Sequence, residues 1–310
     1  MLNISKILFP TDFSVHAQDA LPYAIELAKR YDSELHFLHL QVLHGAQRMD
    51  SPDVFPGEEE ARKQLAGHAE ATDGIRVSHQ TQRAINASTG VLAYAQDNDI
   101  DVIVMGAHGR RGLRRFLLGS VVEEVLRFSH VPVLIVRNDK SRMARSAISR
   151  ILVPIDFSRH TQMSLDVSAD LARAYRAELC LLHVVAVPTY PDFYVPASGS
   201  SLNTARIRQE ARDRIQELAK GMQPDIAVET DVRIGQASSV VSQFALDKDF
   251  DLIVMPTHSY SGLERVLLGS VTELVVRNAP CPVLTLKPFG KDLRDSLSEE
   301  LEAQPAEEGV

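Results

Sequence analysis

Cysteine is nearly absent. Cys180 and Cys281 are the only two in 310 residues, which excludes a disulfide framework and a cysteine-rich zinc site and leaves reduced thiols as the expectation. No run approaches the roughly 18 uninterrupted apolar residues of a membrane span. The opening Met1-Leu2-Asn3-Ile4-Ser5-Lys6 leads straight into a strand pattern, without a signal peptide's plan. A cytoplasmic location is expected. Excess basic charge is missing too: 33 Lys and Arg against 41 Asp and Glu leave a net charge of −8. That balance argues against a general binder of nucleic acid or anionic membrane. What remains, 45% hydrophobic and 24% charged, is the composition of a soluble globular chain with about two domains.

The most informative stretch is Val104-Met105-Gly106-Ala107-His108-Gly109, followed by Arg110 to Leu118 and then Gly119-Ser120. Asp101 to Met105 reads as a buried parallel strand and Val121 to Phe128 as a helix. Gly106 and Gly109 would let backbone amides approach a ligand that a Cβ holds off. Gly119-Ser120 opens the helix, where unpaired N–H groups and the positive dipole end favour phosphate. The spacing Gly-x2-Gly-x9-Gly-Ser is neither a P-loop, which needs Lys after its last Gly, nor the close-set dinucleotide fingerprint. Such a junction also carries glycine merely to turn. The arginines Arg110, Arg111, Arg114 and Arg115 are either charge-assisted phosphate contacts or a solvated loop face.

The chain repeats itself. Lys6-Ile7-Leu8-Phe9-Pro10-Thr11-Asp12-Phe13-Ser14 recurs as Arg150-Ile151-Leu152-Val153-Pro154-Ile155-Asp156-Phe157-Ser158, an offset of 144 residues. Leu118-Gly119-Ser120-Val121 recurs as Leu268-Gly269-Ser270-Val271 at an offset of 150. Two ordered sets of matches define a tandem duplication: domains at 1–140 and 149–289, a polar linker at 141–148 and an acidic tail at 290–310.

Each copy alternates strands with helices. In the first, Lys6–Phe9 is a strand. Ser14 caps a helix to about Tyr31, with Pro22 inside it as a kink or a cost. Glu34–Leu40 is the second strand, Glu58–Ala71 a polar helical stretch, Ile75–Gln82 the third strand and Thr89–Asn98 a helix. Pro132–Val136 is the fifth strand. The fold class is α/β: two tandem Rossmann-like open parallel five-stranded sheets, order 3-2-1-4-5, with helices on both faces. Strands one and four then lie side by side where the winding reverses, and their carboxyl ends form the ligand crevice. Pro10-Thr11-Asp12 thereby meets Gly106-Ala107-His108-Gly109.

These residues resemble the universal stress protein A family: Ile7-Leu8-Phe9-Pro10-Thr11-Asp12-Phe13-Ser14, the Leu38-His39-Leu40 strand, and Gly106-x2-Gly109-x9-Gly119-Ser120 closing on Pro132-Val133-Leu134-Ile135-Val136. The resemblance covers about residues 4–137 and 149–287. It implies adenine-nucleotide binding (ATP, or ADP or AMP, with Mg2+ as a possible companion) and dimers in which the last strands pair. Carried over by position, Pro10, Thr11 and Asp12 would line the adenine and ribose end and Leu40 would contact the base. Gly106 and Gly109 would border ribose and phosphates, while Gly119 and Ser120, with Arg110 in the loop, would hold the phosphate tail. Asp12 also reads as a turn carboxylate before Ser14. The second copy has Pro256 and Ser259 for the two loop glycines and Ile155 for Thr11, so it reads as nucleotide-poor or adapted to another ligand.

The duplication then predicts that Val133–Val136 pairs with Val283–Leu286 within one chain. A homodimer of two such chains stays open as an alternative, though no sequence feature supports it. His16/His160, His39/His183 and His108/His258 lack metal-ligand spacing; the strand pair reads as core histidines. The leading function is a nucleotide-dependent switch or regulator read by an unidentified protein partner. The alternatives are a slow ATPase or phosphotransferase, for which no base or Walker-type lysine is visible, and a non-nucleotide scaffold.

Overall fold

The computed structural model describes residues 2–43, 72–108, 118–137, 148–186, 200–222, 225–257 and 268–288, with 59, 60, 63, 64, 67, 290, 291 and 293. The first half runs β1 (Lys6–Pro10), α1 (Val15–Tyr31), β2 (Glu34–Val42), β3 (Val77–Ala84), α2 (Ala87–Asp97), β4 (Val102–Gly106), α3 (Ser120–Phe128) and β5 (Val133–Val136). The second runs β6 (Arg150–Ile155), α4 (Thr161–Tyr175), β7 (Glu178–Val185), α5 (Ser200–Lys220), β8 (Val228–Ile234), α6 (Ala237–Asp247), β9 (Leu252–Pro256), α7 (Ser270–Asn278) and β10 (Val283–Leu286). The expected stretch Glu58–Ala71, the loop 109–117, the linker interior 138–147 and the aromatic segment Pro188–Pro196 lie outside the described residues, wholly or mostly.

Within each half the order is 3-2-1-4-5 and every pairing is parallel. The two five-stranded sheets are joined edge to edge, as the duplication predicts. β5 and β10 pair antiparallel, Ile135 with Val283, Leu134 with Leu284 and Val133 with Thr285, making one ten-stranded sheet. Both strands are four buried residues long, and each would otherwise present a row of unpaired backbone groups at an apolar edge. Thr285 Oγ1 adds a bond to the Val133 carbonyl at 3.0 Å.

Helices cover both faces, as parallel strands buried on two sides require. On one face α1, α4 and α5 bury Ile7, Phe9, Phe37, Val104, Ile151 and Val153. On the other, α2, α3, α6 and α7 bury Leu8, Leu38, Ile103, Met105, Ile253 and Met255. Pro22 neither ends nor splits α1. It lies on the exposed side, as does Gln18 four residues earlier, so the acceptor it leaves unpaired is open to water. β3 begins two residues later than its alternating pattern suggests.

Asp101 ties β1 to β4, its Oδ2 accepting from the Ser5 and Lys6 amides at 2.7 and 2.9 Å. Asp251 repeats this with the Ser149 and Arg150 amides, both at 2.9 Å. The first residues of the expected acidic tail are built into the fold. The Lys291 amide donates to the His130 carbonyl at 2.7 Å and the Asn3 amide to the Leu293 carbonyl at 2.8 Å. Lys291 Nζ reaches Asp101 at 2.6 Å, and Leu293 is buried with apolar residues of both halves, among them Leu2, Ile4, Leu252 and Leu284.

Candidate nucleotide site of the first domain

β1 and β4 are direct neighbours, Ile7 opposite Val102 and Leu8 opposite Ile103, so Pro10, Thr11 and Asp12 leave the sheet beside Gly106. The turn from β1 into α1 is held by its own side chains. Thr11 Oγ1 accepts from the Phe13 amide at 3.0 Å, Asp12 Oδ1 from the Ser14 amide at 3.0 Å, and Ser14 Oγ from the Ala17 amide at 3.2 Å. These are the local bonds that Thr, Asp and Ser offer a turning backbone. Asp12 therefore performs the turn role that its sequence position allowed.

Phe13 sits at φ 59°, a left-handed conformation that costs a non-glycine residue on the order of 1–3 kcal/mol. His39 holds it there. The His39 ring lies 4.6 Å from the Phe13 ring, and Nδ1 donates to the Thr11 carbonyl at 2.9 Å. Phe157 (φ 59°), His183 and the Ile155 carbonyl repeat the device, with rings 4.5 Å apart and a bond of 2.7 Å. The strand histidines are thus bonded to backbone, as core histidines should be. The sequence showed the repeat but not the left-handed Phe it supports.

Gly106 has a reason the sequence did not reveal. A Cβ there would stand 2.2 Å from the His16 carbonyl oxygen, so its missing side chain admits the first turn of α1. In the second half Pro256 takes this place, and the helix opposite starts at Thr161, two residues later than its counterpart Val15 would require. His16 is thereby brought to His108, their rings 5.5 Å apart.

The glycine loop leaves and returns at one point. The Ala107 amide donates to Val136 at 2.8 Å, and its carbonyl accepts from the Gly119 amide at 3.0 Å. Gly119 is the N-cap of α3 and has no side chain to bond the first amides, and Ser120 is the first helical residue, exposed. Ser120 is thus not the cap. The end of α3 presents its orphan N–H groups to an anion. Gly109 and Arg110 lie outside the described residues. Leu40, half-buried at the end of β2, packs toward α2, where a Cβ on Gly90 would come within 2.8 Å of it. The second half keeps the pinned loop, with the Gly269 amide bonded to the Thr257 carbonyl at 2.8 Å.

The Universal stress protein family model matches residues 3–137 and 147–287. A universal stress protein of Methanocaldococcus jannaschii is 32% identical over 48% of this chain and 88% of its own length. One from Synechocystis is 25% identical over 92% of this chain and all of its own. The crystal structure of a universal stress protein from Archaeoglobus fulgidus shares the fold, with TM-score 0.66, 24% identity, and 92% and 98% of the two chains covered. With two matched segments spanning both halves of one sheet, the chain belongs to the universal stress protein family as a tandem member.

Proposed function

We propose that the first domain binds an adenine nucleotide across the carboxyl ends of β1 and β4, and that the chain works as a nucleotide-dependent regulator. The observation that carries this is the N-terminus of α3, whose cap Gly119 has no side chain to bond the first amides and is pinned to the end of β4 by its bond to Ala107. A phosphate there meets backbone N–H groups and the positive end of the helix. Pro10, Thr11 and Asp12 stand beside it for the nucleoside, with Leu40 toward the base, and Gly109 and Arg110 belong to the intervening loop. Mg2+ enters this reading only as the counter-ion of the nucleotide's phosphates. Occupancy would favour one arrangement of that loop over others and so change a surface that a partner reads.

The test is mass spectrometry of small molecules released from the denatured protein, with calorimetric titration of ATP, on wild type and Ser120→Glu. A carboxylate at the first helical position suits the dipole, so the variant keeps its fold while occupying the anion position. One adenine nucleotide per chain in wild type, lost in the variant, supports the reading. Two per chain would show that the second half binds as well. None released and none bound on addition would overturn it.

A further inference from the structure

The Gly119–Ser120 end of α3 faces the proposed nucleotide site; its other end meets the second domain. Lys287, the residue after β10, crosses the seam and donates from Nζ to the Leu126 carbonyl in the last turn of α3. That carbonyl is one of those a helix leaves without an internal partner, and an ammonium is favoured at the negative end of the dipole. Lys287 is only 8% exposed. The helix has nine residues, about 14 Å at the α-helical rise, so a shift at one end is felt at the other. Packed elements pass such shifts on as units.

We infer that α3 couples nucleotide occupancy of the first domain to the domain seam through Lys287, so that the affinity of the site depends on the charge of this one ammonium. The inference rests on the nucleotide reading above. Among the described residues, the charged groups on the surrounding elements are engaged elsewhere. On α3, Glu123 pairs with Arg127 at 3.3 Å and Glu124 accepts from Ser88. After α3, His130 is held below its usual pKa by burial and by Lys291, which itself pairs with Asp101. On α7, Glu273 pairs with Arg277 at 2.7 Å. Burial outweighs the favourable helix end and lowers the pKa of Lys287 to about 7, where its charge changes with small shifts of pH. By linkage, whatever the nucleotide does to this proton, the proton does to the nucleotide.

The experiment titrates ATP into the full chain from pH 6 to 8.5 for wild type, Lys287→Arg and Lys287→Met. The titration of ATP itself is common to all three. Relative to Lys287→Arg, whose charge is permanent, wild-type affinity should drift by about fivefold or more across the range, the lower end of allosteric couplings. Lys287→Met should match wild type at the alkaline end. Parallel profiles for wild type and Lys287→Arg would overturn the coupling while leaving the site intact. A wild type that binds no ATP at any pH would overturn the nucleotide reading itself, and the coupling with it. Should Lys287→Met fail to fold, the comparison with Lys287→Arg decides alone.

Discussion

Arg137 and Lys287 hold equivalent places, each one residue past the last strand of its domain, and each caps the other domain's final helix. Arg137 donates to the Val276 carbonyl on α7 at 3.5 Å, and Lys287 to the Leu126 carbonyl on α3. The two are related by the pseudo-two-fold axis of the seam but differ in chemistry. Arg137 is half-buried and permanently charged, whereas Lys287 is buried and titratable.

That difference gives the stability a pH dependence. Lys287 has a lowered pKa of about 7 in the folded chain against 10.5 unfolded, so between those values the unfolded chain binds more protons. Stability attributable to this group therefore rises as pH climbs from 7 toward 10.5, and the burial penalty is fully present below 7. Urea denaturation at pH 7, 8 and 9 should show wild type gaining on Lys287→Met as pH rises. A constant difference would mean that the ammonium is not desolvated at the seam.

Gly106 and Pro256 make a matched pair. Gly106→Ala sets a Cβ against the His16 carbonyl, a backbone group that cannot rotate away, and should cost at least about 1–3 kcal/mol, as overpacking does. Pro256→Gly adds no atom and should cost less than about 1 kcal/mol, mainly through the freedom given to the unfolded chain. Denaturation midpoints of the two variants check the order. Equal losses would mean that the later start of α4 has nothing to do with the residue opposite.

The segment after β10 should behave as a strap on the first domain. Gly290 has no room for a side chain, since a Cβ would lie 2.0 Å from the His130 carbonyl oxygen. Gly290→Ala should lift the strap and expose the Asn3 amide, which bonds the Leu293 carbonyl at 2.8 Å. Hydrogen exchange at Asn3 should accelerate toward that of a frayed terminus while the Leu8 amide stays protected. Unchanged exchange at Asn3 would show that the strap is not held there.

The order of strands, the pairing of Val133–Val136 with Val283–Leu286, the Ser14 cap and the buried strand ending at Met105 were all legible, because each follows from periodicity, from a cap or from the duplication. The reasons for single residues were not. Gly106 has a packing reason, the His16 carbonyl ninety residues earlier, that no local pattern reveals. The β3 boundary slipped because an edge strand with polar residues on both faces, such as Ser78, Gln80 and Arg83, carries little hydrophobic pattern. The strap falls inside the acidic tail of the sequence reading because it docks by backbone bonds, one lysine and one leucine, none of which makes a pattern.

The antiparallel seam has a consequence for how the two halves change over time. When two identical chains meet across such an edge, every alteration appears on both sides at once and must suit its own copy. Here one polypeptide supplies both sides at a concentration that dilution does not alter. Each side answers only to the other. Val-Leu-Ile-Val against Val-Leu-Thr-Leu, Arg137 against Lys287 and Gly106 against Pro256 are the marks of that freedom. Fusion has turned a mirror into a division of labour.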